Sequence, residues 1–533
     1  MTDRPVTPFE GMDIRSLLDL QAGRRGTHPA LIWEPFDGEG RQWSYAELAE
    51  AIRRFAAGLQ ARGVSPGNRV LVHGENSPEM LIAWLGTAYA GGVPVTTNAG
   101  STADDLAYFA RHSAAVGVVT QPKFADLVRA ATPGIGWRAI TDTDQGADTD
   151  QGVDNDQGVA VAGMADGFEP LAAIDADPAT LAERPHDPWA PFGTQYTSGT
   201  TARPKAVLWT HANALWGARL CAAHEDLRAD DVHLTYLPLF HTNAQVYSVL
   251  ASLWVGATIV LMPRFSASRF WPVSLKHRAT WTSMVPFCLK ALMKQPVPDT
   301  HHYRYFGNAI CDTPMDPYFR VKTIGWWGMT ETVGHGIVGS AFHPDGVMSM
   351  GRPSLGYRVH VLRDDGTPAG PGEVGDLLID GVRGVSLFLE YAGDPAATAA
   401  AFREDGLFVT GDRVRVGADG CLYFADRSKD MLKVGGENVA ASEIERVIGT
   451  VGGVAEVAVV GMPHDMLDEV PVAFVIAHPG SEAGIEDAVL AACADQLAVF
   501  KRPHQVRRVD SFPRATLEKV AKAELRAQLL RER

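Results

Sequence analysis

Amphipathic helices alternate with short apolar strands through the first part of the chain, and few architectures accept that pattern. Ser44-Tyr-Ala-Glu47 is a capping-box pattern. It opens a run in which Leu48, Ile52, Phe55 and Leu59 share one helical face, and Gly63 can end it. A strand-like Val70-Leu-Val72 follows, then a helix around Met80 to Tyr89, then Val93-Pro-Val95. Such alternation implies parallel β-sheet with helices on its faces, so the expected fold class is α/β.

The chain has 533 residues, too many for one ordinary core, so two or more domains are expected. Its character changes towards the end. Beyond the polar stretch Asp426-Arg-Ser-Lys-Asp430 lie a helix with Glu443 and Glu445, the strands Glu456-Val-Ala-Val-Val460 and Val472-Ala-Phe-Val-Ile476, another helix and a basic tail. That suffices for a small α/β domain. The boundary is placed near Lys429, giving a large domain over 1–428 and a small one over 429–533. Residues 142 to 158 read DTDQG-A-DTDQG-V-DNDQG, a repeat of acidic and small residues. Asp-x-Asp spacing can converge oxygens on calcium, but no glutamate closes an EF-type loop. A disordered, solvated insertion is the better reading, because such a stretch buries too little surface to pack.

Apolar residues make up 46% and charged residues 21%, as in an ordinary soluble protein. The formal charge of -15 comes without a basic patch, which argues against nucleic acid as a partner. Cys221, Cys288, Cys311, Cys421 and Cys493 are scattered with no CxxC pair. That suits a reducing cytosol and argues against a disulfide framework or a zinc site. The N-terminal MTDRPVTPFEGMD lacks the apolar core of a signal peptide. The uncharged stretch from Thr242 to Met262 includes Asn243, Gln245 and Ser248 and is split by Gly256-Ala257. It reads as a buried helix, a turn and the strand Ala257-Thr-Ile-Val-Leu-Met262, where a membrane span would want about 20 mostly apolar residues. A cytoplasmic protein without a membrane span is expected, and a homodimer is one assembly open to it.

Thr194-Gln-Tyr-Thr-Ser-Gly-Thr-Thr-Ala-Arg-Pro-Lys205 is the most informative stretch. It sets hydroxyl side chains and a glycine ahead of a lysine. Such a loop can wrap phosphate oxygens with backbone N–H and hydroxyl donors while the lysine adds positive charge. A Ser/Thr/Gly run alone is more often a flexible linker. Linkers seldom sit directly before an apolar run such as Ala206-Val-Leu-Trp209. The Walker spacing G-x-x-x-x-G-K-[ST] is absent.

The loop resembles the signature YTSGTTGxPKG of the acyl-adenylate-forming superfamily, which includes acyl-CoA synthetases, luciferases and peptide-synthetase adenylation domains. Ala202 and Ala206 stand where glycine is usual. The resemblance continues in order. Trp327-Gly-Met-Thr-Glu331 is similar to YGMTE, Thr410-Gly-Asp412 to TGD, and Asp426-Arg427 with Lys429-Asp430 to the hinge signature. Gly435-Gly-Glu-Asn438 is similar to GGEN, and Pro513-Arg-Ala-Thr-Leu-Glu-Lys519 to PRxxxGK, with Glu518 in place of glycine. Phe265 to Trp271, Trp327 to Thr332 and Gly351 to Gly356 most resemble the crotonobetaine/carnitine-CoA ligase branch.

This resemblance implies a large N-terminal domain of α/β subdomains with helices packed on β-sheets, plus a small mobile C-terminal α/β domain. It implies ATP-dependent conversion of a carboxylic acid to an acyl-adenylate, then to an acyl-CoA, in fatty-acid and lipid metabolism. ATP, Mg²⁺ and coenzyme A are the implied cofactors and partners. Thr197, Ser198, Gly199, Thr200, Thr201 and Lys205 would hold the β- and γ-phosphates, Thr330 the α-phosphate and Glu331 the metal. Gly307, Asn308, Ala309 and Trp327 would form the adenine slot, Gly328 and Met329 would also belong to the ATP/AMP-binding set, and Asp412 and Arg427 would meet the ribose. Lys519 would bridge the carboxylate and α-phosphate oxygens during adenylation. Rotation about Lys429 would then bring in Lys433, Gly435 and Gly436 for thiol transfer, with His241 gating the pocket entrance.

Leu237-Pro-Leu-Phe-His241 resembles the PLFH segment of acyl-CoA synthetases. Amino-acid-activating relatives carry an aspartate just after the aromatic residue, whereas His241 and Thr242 follow Phe240 here. The acyl pocket is expected around Thr242, Asn243, Val246, Phe287 and His335, a largely neutral set without a carboxylate. Two alternatives stand beside CoA ligation. One loads an acyl carrier protein, which would be a separate chain because no carrier domain follows Arg533. The other is a non-catalytic nucleotide-binding homologue, suggested by Ala202, Ala206 and Glu518 and opposed by Thr330, Glu331, Asp412, Arg427 and Lys519.

Overall fold

A computed structural model describes residues 5–142, 167–197, 204–427, 431–434, 437–464, 467–497, 499–514 and 519–532. Chain contacts divide them into two units. The first holds the described residues of 1–197, 204–358 and 380–408, and the second those of 359–379 and 409–533. Residues 359–379 and 409–427 thus join the second unit although they precede Lys429. They do so because Arg358–Leu362, Val374–Asp380, Phe408–Val416 and Leu422–Arg427 form one four-stranded sheet.

The first unit is built on two large sheets with parallel centres. In one, Val93–Thr97, Arg69–His73, Gly117–Thr120 and Trp137–Ile140 run parallel in that order. In the other, Tyr305–Asn308, Trp281–Ser283, Val232–Thr235, Thr258–Leu261 and Pro29–Trp33 do the same. Strands covered on both faces should be apolar throughout. Every residue of Val93–Thr97, Gly117–Thr120 and Thr258–Leu261 is accordingly buried.

The helices follow their sequence signals. Ser44 caps Tyr45–Ala61, and Glu47 reaches back to the Ser44 N–H at 2.8 Å. Leu48, Ile52, Phe55 and Leu59 are each at most 1% exposed, and Gly63 follows with φ of 80°. The stretch after Thr242 begins as a π-helix over Asn243–Leu250, continues as Ala251–Val255, turns at Gly256 and enters Thr258–Leu261. Among the described residues no helix is long and apolar enough to cross a membrane.

The second unit contains that four-stranded sheet, where burial alternates along Phe408–Val416 as expected for a sheet with one wet face. Its other sheet pairs Glu437–Ala440, Met431–Val434, Asp468–Ala477 and Val454–His464, and Gln505–Arg508 adds alongside Asp468–Ala477. The helix Ala441–Ile448 packs through Ile444, Val447 and Ile448 on one face of it. Leu525 and Leu529 of Lys522–Arg531 pack on the other, against Val460 and Phe474. The acidic repeat from 143 onward lies outside the described residues.

Candidate active site

The phosphate-loop signature is mounted on a β-hairpin. Pro191–Thr197 pairs antiparallel with Lys205–Thr210, and Thr197 stands opposite Lys205. Ser198, Gly199, Thr200, Thr201 and Ala202 lie outside the described residues, but their two anchors are fixed. Ala206 is 2% exposed, lies in the second strand and is not among the residues with positive φ, so its methyl group is accommodated without backbone strain.

Tyr391, absent from the sequence reading, joins the lysine to the candidate metal ligand. It enters through the short strand Glu390–Tyr391, which pairs with Lys205–Thr210 and sets Tyr391 opposite Val207. The Lys205 ammonium lies 4.6 Å from the centre of the Tyr391 ring, a cation–π contact. The Tyr391 hydroxyl donates to Glu331 Oε1 at 2.8 Å. Burial, and then the nearby carboxylate, push the Tyr391 phenol above its ordinary value, so it stays protonated as a donor. Tyr391→Phe removes that donor and leaves the ring beneath Lys205. A hydrogen bond to a charged group is worth about 1.5–3 kcal/mol, so adenylation is expected to fall about 10- to 100-fold. Pyrophosphate exchange measured across Mg²⁺ concentrations checks this; a wild-type rate at every concentration would remove the hydroxyl from the argument.

The loop carrying Thr330 and Glu331 is tied down by three neighbours. Trp209 Nε1 donates to the Thr330 carbonyl at 2.9 Å, and the Phe388 N–H donates to the Glu331 carbonyl at 2.8 Å. The Tyr357 hydroxyl donates to the Thr332 carbonyl. Val333 follows with φ of 62°, a conformation a β-branched residue adopts only under constraint and one that gathers at functional sites.

Behind Thr330 runs a buried polar relay. Thr330 Oγ1 and Thr242 Oγ1 lie 3.3 Å apart, and Thr242 donates to Gln195 Oε1 at 2.9 Å. Gln195 Nε2 donates to Gln245 Oε1 at 2.6 Å, and Gln245 Nε2 donates to the Leu239 carbonyl at 2.7 Å and to Thr96 Oγ1 at 3.1 Å. The relay links the hairpin, the π-helix and the segment before His241 to the Thr330 hydroxyl. His241 is half-buried with its ring 4.4 Å from that of Phe240. π-Helical turns are frequent at functional sites, and here one supplies both Thr242's neighbours and Gln245.

Of the proposed pocket residues, Thr242 and Val246 are buried and Asn243 is half-buried. Gly217 lets Val246 approach, since a Cβ there would lie 2.4 Å from Val246 Cγ1 and 3.1 Å from Val333 Cγ1. His335 is fully buried, stacked on Trp326 at 4.5 Å and beside Tyr247 at 4.2 Å. No carboxylate is among the expected pocket residues, yet Glu225 Oε1 lies 3.7 Å from His335 Nε2 with both side chains sealed from solvent. Burial holds the Glu225 carboxyl well above its ordinary value and the His335 imidazole well below its own. Both shifts disfavour an ion pair between them. The Phe287 side chain lies outside the described residues.

Gly307 and Asn308 end the strand Tyr305–Asn308, and Trp327 ends the adjacent Lys322–Trp327. Gly307 is packed by Trp326, whose Cη2 would be 1.7 Å from an added Cβ, and Trp327 points to the opposite side by strand alternation. Asn308 is 2% exposed and its Oδ1 accepts from the Ala309 N–H at 2.7 Å. Gly328 and Met329 open the tied loop, where the Met329 N–H donates to Thr332 Oγ1 at 2.8 Å. In the second unit Asp412 is 5% exposed, and its strand position pairs in register with Arg427 of the neighbouring strand. The Arg427 and Lys433 side chains, and all of Lys429, Gly435, Gly436 and Glu518, lie outside the described residues. Lys519 is exposed.

The AMP-binding enzyme family matches residues 18–392, and the AMP-binding enzyme C-terminal domain matches residues 443–519. The crotonobetaine/carnitine-CoA ligase of Proteus mirabilis is 35% identical over 526 residues, covering 96% of this chain and 98% of that protein. That of Salmonella heidelberg is 32% identical, covering 97% and 99%. Among solved structures, ATP-bound MatB from Rhodopseudomonas palustris superimposes with a TM-score of 0.81 at 27% identity, covering 97% and 99%. A benzoate CoA ligase from Burkholderia xenovorans does so with 0.80 at 26%, covering 97% and 100%. A hairpin-borne phosphate lysine tied through a tyrosine to a threonine–glutamate loop, with near full-length likeness on both counts, places the chain in the AMP-binding enzyme family, the superfamily of AMP-forming acyl-CoA synthetases.

Proposed function

We propose that this enzyme activates an acid whose acyl portion carries no charge, and that Lys205, Thr330 and Glu331 form its phosphate end. The reaction couples ATP to the ligation of a carboxylic acid and CoA through an acyl-adenylate. A carboxylate oxygen attacks the α-phosphorus and pyrophosphate leaves; the CoA thiol then attacks the acyl carbon and AMP leaves. Bringing anions together makes charge neutralisation the protein's main task. The observation that carries this reading is the Lys205–Tyr391–Glu331 connection, which keeps a cation and an oxygen ligand next to each other at the mouth of the hairpin.

Lys205 takes the terminal phosphate oxygens and Thr330, held by the glutamine relay, orients the α-phosphate. The carboxylate of Glu331 beside the Thr330 hydroxyl is an all-oxygen donor set that suits Mg²⁺. When bound, that ion neutralises phosphate charge. Asp412, an acceptor for two ribose hydroxyls, works with Arg427. Lys519 acts in the first half-reaction, and Lys429, Lys433, Gly435, Gly436 and His241 in the second, with Lys429 as the hinge between domains. A cytoplasmic setting suits five buried thiols without a disulfide among them.

The uncharged acyl group is supported by the residues expected at the pocket. Thr242 and Val246, expected at the pocket, bear no charge, nor do the neighbouring Gly217 and Val333, and the Glu225 carboxyl beside His335 is sealed from solvent. Likeness to ligases for carnitine acids does not by itself fix the substrate, because specificity resides in the site. Pyrophosphate release is to be measured with straight-chain, alicyclic and trimethylammonium acids. Uncharged acids should be preferred by about tenfold or more, the discrimination expected when one site must bury an unpaired charge. Preference for the ammonium acids would overturn the neutral pocket, and no stimulation by any acid would overturn the ligase. Free CoA against a phosphopantetheine-bearing carrier then tests the acceptor.

A further inference from the structure

The first unit holds a cluster of donor groups that the ligase chemistry does not use. Cys221 lies in the helix His211–His224, and Glu225 caps that helix, so their side chains sit one turn apart on a shared face. His335 arrives from the segment beyond Glu331. One ligand atom from each of Cys221, Glu225 and His335 lies within 4.8 Å of the others, and among the described residues no other His, Cys, Asp and Glu side chains converge this way. All three residues are 0% exposed. We propose that Cys221 Sγ, the Glu225 carboxylate and a ring nitrogen of His335 form a structural site for a divalent transition-metal ion of the zinc class.

Four observations lead there. Both Glu225 oxygens and both His335 ring nitrogens lack a hydrogen-bond partner, although buried polar groups are ordinarily paired. The neighbouring His224 also has both ring nitrogens unpaired, with its ring stacked 6.0 Å from that of His335. Glu225 stands at the C-terminal end of its helix, where the backbone carbonyls favour a cation and disfavour a carboxylate. The set is also balanced in charge: a thiolate and a carboxylate offset the ion's two positive charges, and neutral imidazole adds a third donor.

Sulfur, imidazole nitrogen and carboxylate oxygen are the ligand types zinc accepts, at about 2.0–2.3 Å each. Tetrahedral donors at those lengths sit about 3.3–3.7 Å apart. Glu225 Oε1 and His335 Nε2 already stand at 3.7 Å. On binding, the thiol and the carboxyl each release one proton. The cluster is sealed, so it cannot be a substrate contact in this conformation, and loading accompanies folding. Cysteine spacing alone misses the site because only one cysteine takes part: Glu225 is one helical turn on, and His335 comes from the distant segment beyond Glu331.

The test is to express the full-length chain in minimal medium supplemented with Co²⁺ or with Zn²⁺, dialyse it without ATP or Mg²⁺, and count metal per chain. The expected result is one ion per chain, with a near-ultraviolet thiolate-to-cobalt charge-transfer band in the cobalt form. Cys221→Ser should lose the band, whereas Cys288→Ser, which alters another buried thiol, should keep it. Glu225→Gln should weaken retention by about tenfold or more. Cobalt held at Glu331 is oxygen-bound and gives no such band. A folded wild-type protein with less than a tenth of an ion per chain and no band, or a band unchanged in Cys221→Ser, overturns the site; because the wild-type result stands alone, misfolding of a variant does not shield it.

Discussion

Lys519→Ala is expected to reduce acyl-adenylate formation by about a hundred- to a thousandfold, the loss seen when one preorganised charge donor is taken from a transition state. Thioester formation from a supplied acyl-adenylate should stay within about twofold of wild type, because Lys519 acts in the first half-reaction alone. The structure gives the side chain a defined origin. Arg514 and Val520 form an antiparallel bridge, and the Ala521 N–H donates to the Pro513 carbonyl at 2.8 Å. Lys519 therefore directly precedes this backbone anchor. Lys522 then pairs with Glu445 at 2.9 Å, and Leu525 and Leu529 anchor the helix that follows. An exposed side chain beside such an anchor can be truncated with little loss of stability, about 0.5 kcal/mol or less. Pyrophosphate exchange and single-turnover thioester formation separate the two steps. Equal losses in both would contradict the assignment of Lys519 to adenylation.

The fold was legible wherever its cause is local. The reciprocal Ser44–Glu47 cap forms, and the four apolar positions of that helix are all in the core. Val93-Pro-Val95 becomes a central parallel strand because an unbroken apolar run needs cover on both faces. The π-helix over Asn243–Leu250 was not legible, since it differs from an α-helix in which carbonyl each N–H meets and not in composition. The strands Met431–Val434 and Glu437–Ala440 were also missed. Their flanking glycines signal a turn, but the strands themselves are short. The sheet uniting Val374–Asp380 with Phe408–Val416 is non-local, which is why it cannot be read from composition.

The site divides the same way. Lys205, Thr330, Glu331 and Asp412 stood out because each sits in a contiguous signature. Tyr391 did not, because its meaning comes from pairing with Val207 across more than 180 residues. Gln195 lies inside the phosphate-loop stretch and still gave no sign of its role, which depends on Thr242 and Gln245 arriving from the π-helix. Glu225 belongs to no signature in the sequence. Only the fold reveals it as a sealed carboxyl facing His335.

Glu331→Gln provides the cleanest test of the metal assignment, because so little else changes. The glutamine amide oxygen can still accept the Tyr391 hydroxyl bond that Glu331 Oε1 accepts at 2.8 Å, and the Phe388 N–H still meets the residue 331 carbonyl. Shape, packing and the tied loop are retained; the negative charge is lost. A hard divalent ion depends on that charge, since Mg²⁺ sheds water reluctantly and is commonly held by one or two carboxylates together with substrate phosphates. At fixed Mg²⁺ the adenylation rate should fall about a hundred- to a thousandfold. Raising Mg²⁺ should recover part of it, so the half-saturating concentration moves upward. Tyr391→Phe leaves the carboxylate in place and loosens only its orientation, so its shift should be smaller. The double variant should then fall short of the summed losses, because the hydroxyl no longer has a carboxylate to orient. Unchanged Mg²⁺ dependence in Glu331→Gln would show that the ion is held elsewhere, and strict additivity of the two variants would show that Tyr391 acts through Lys205 alone.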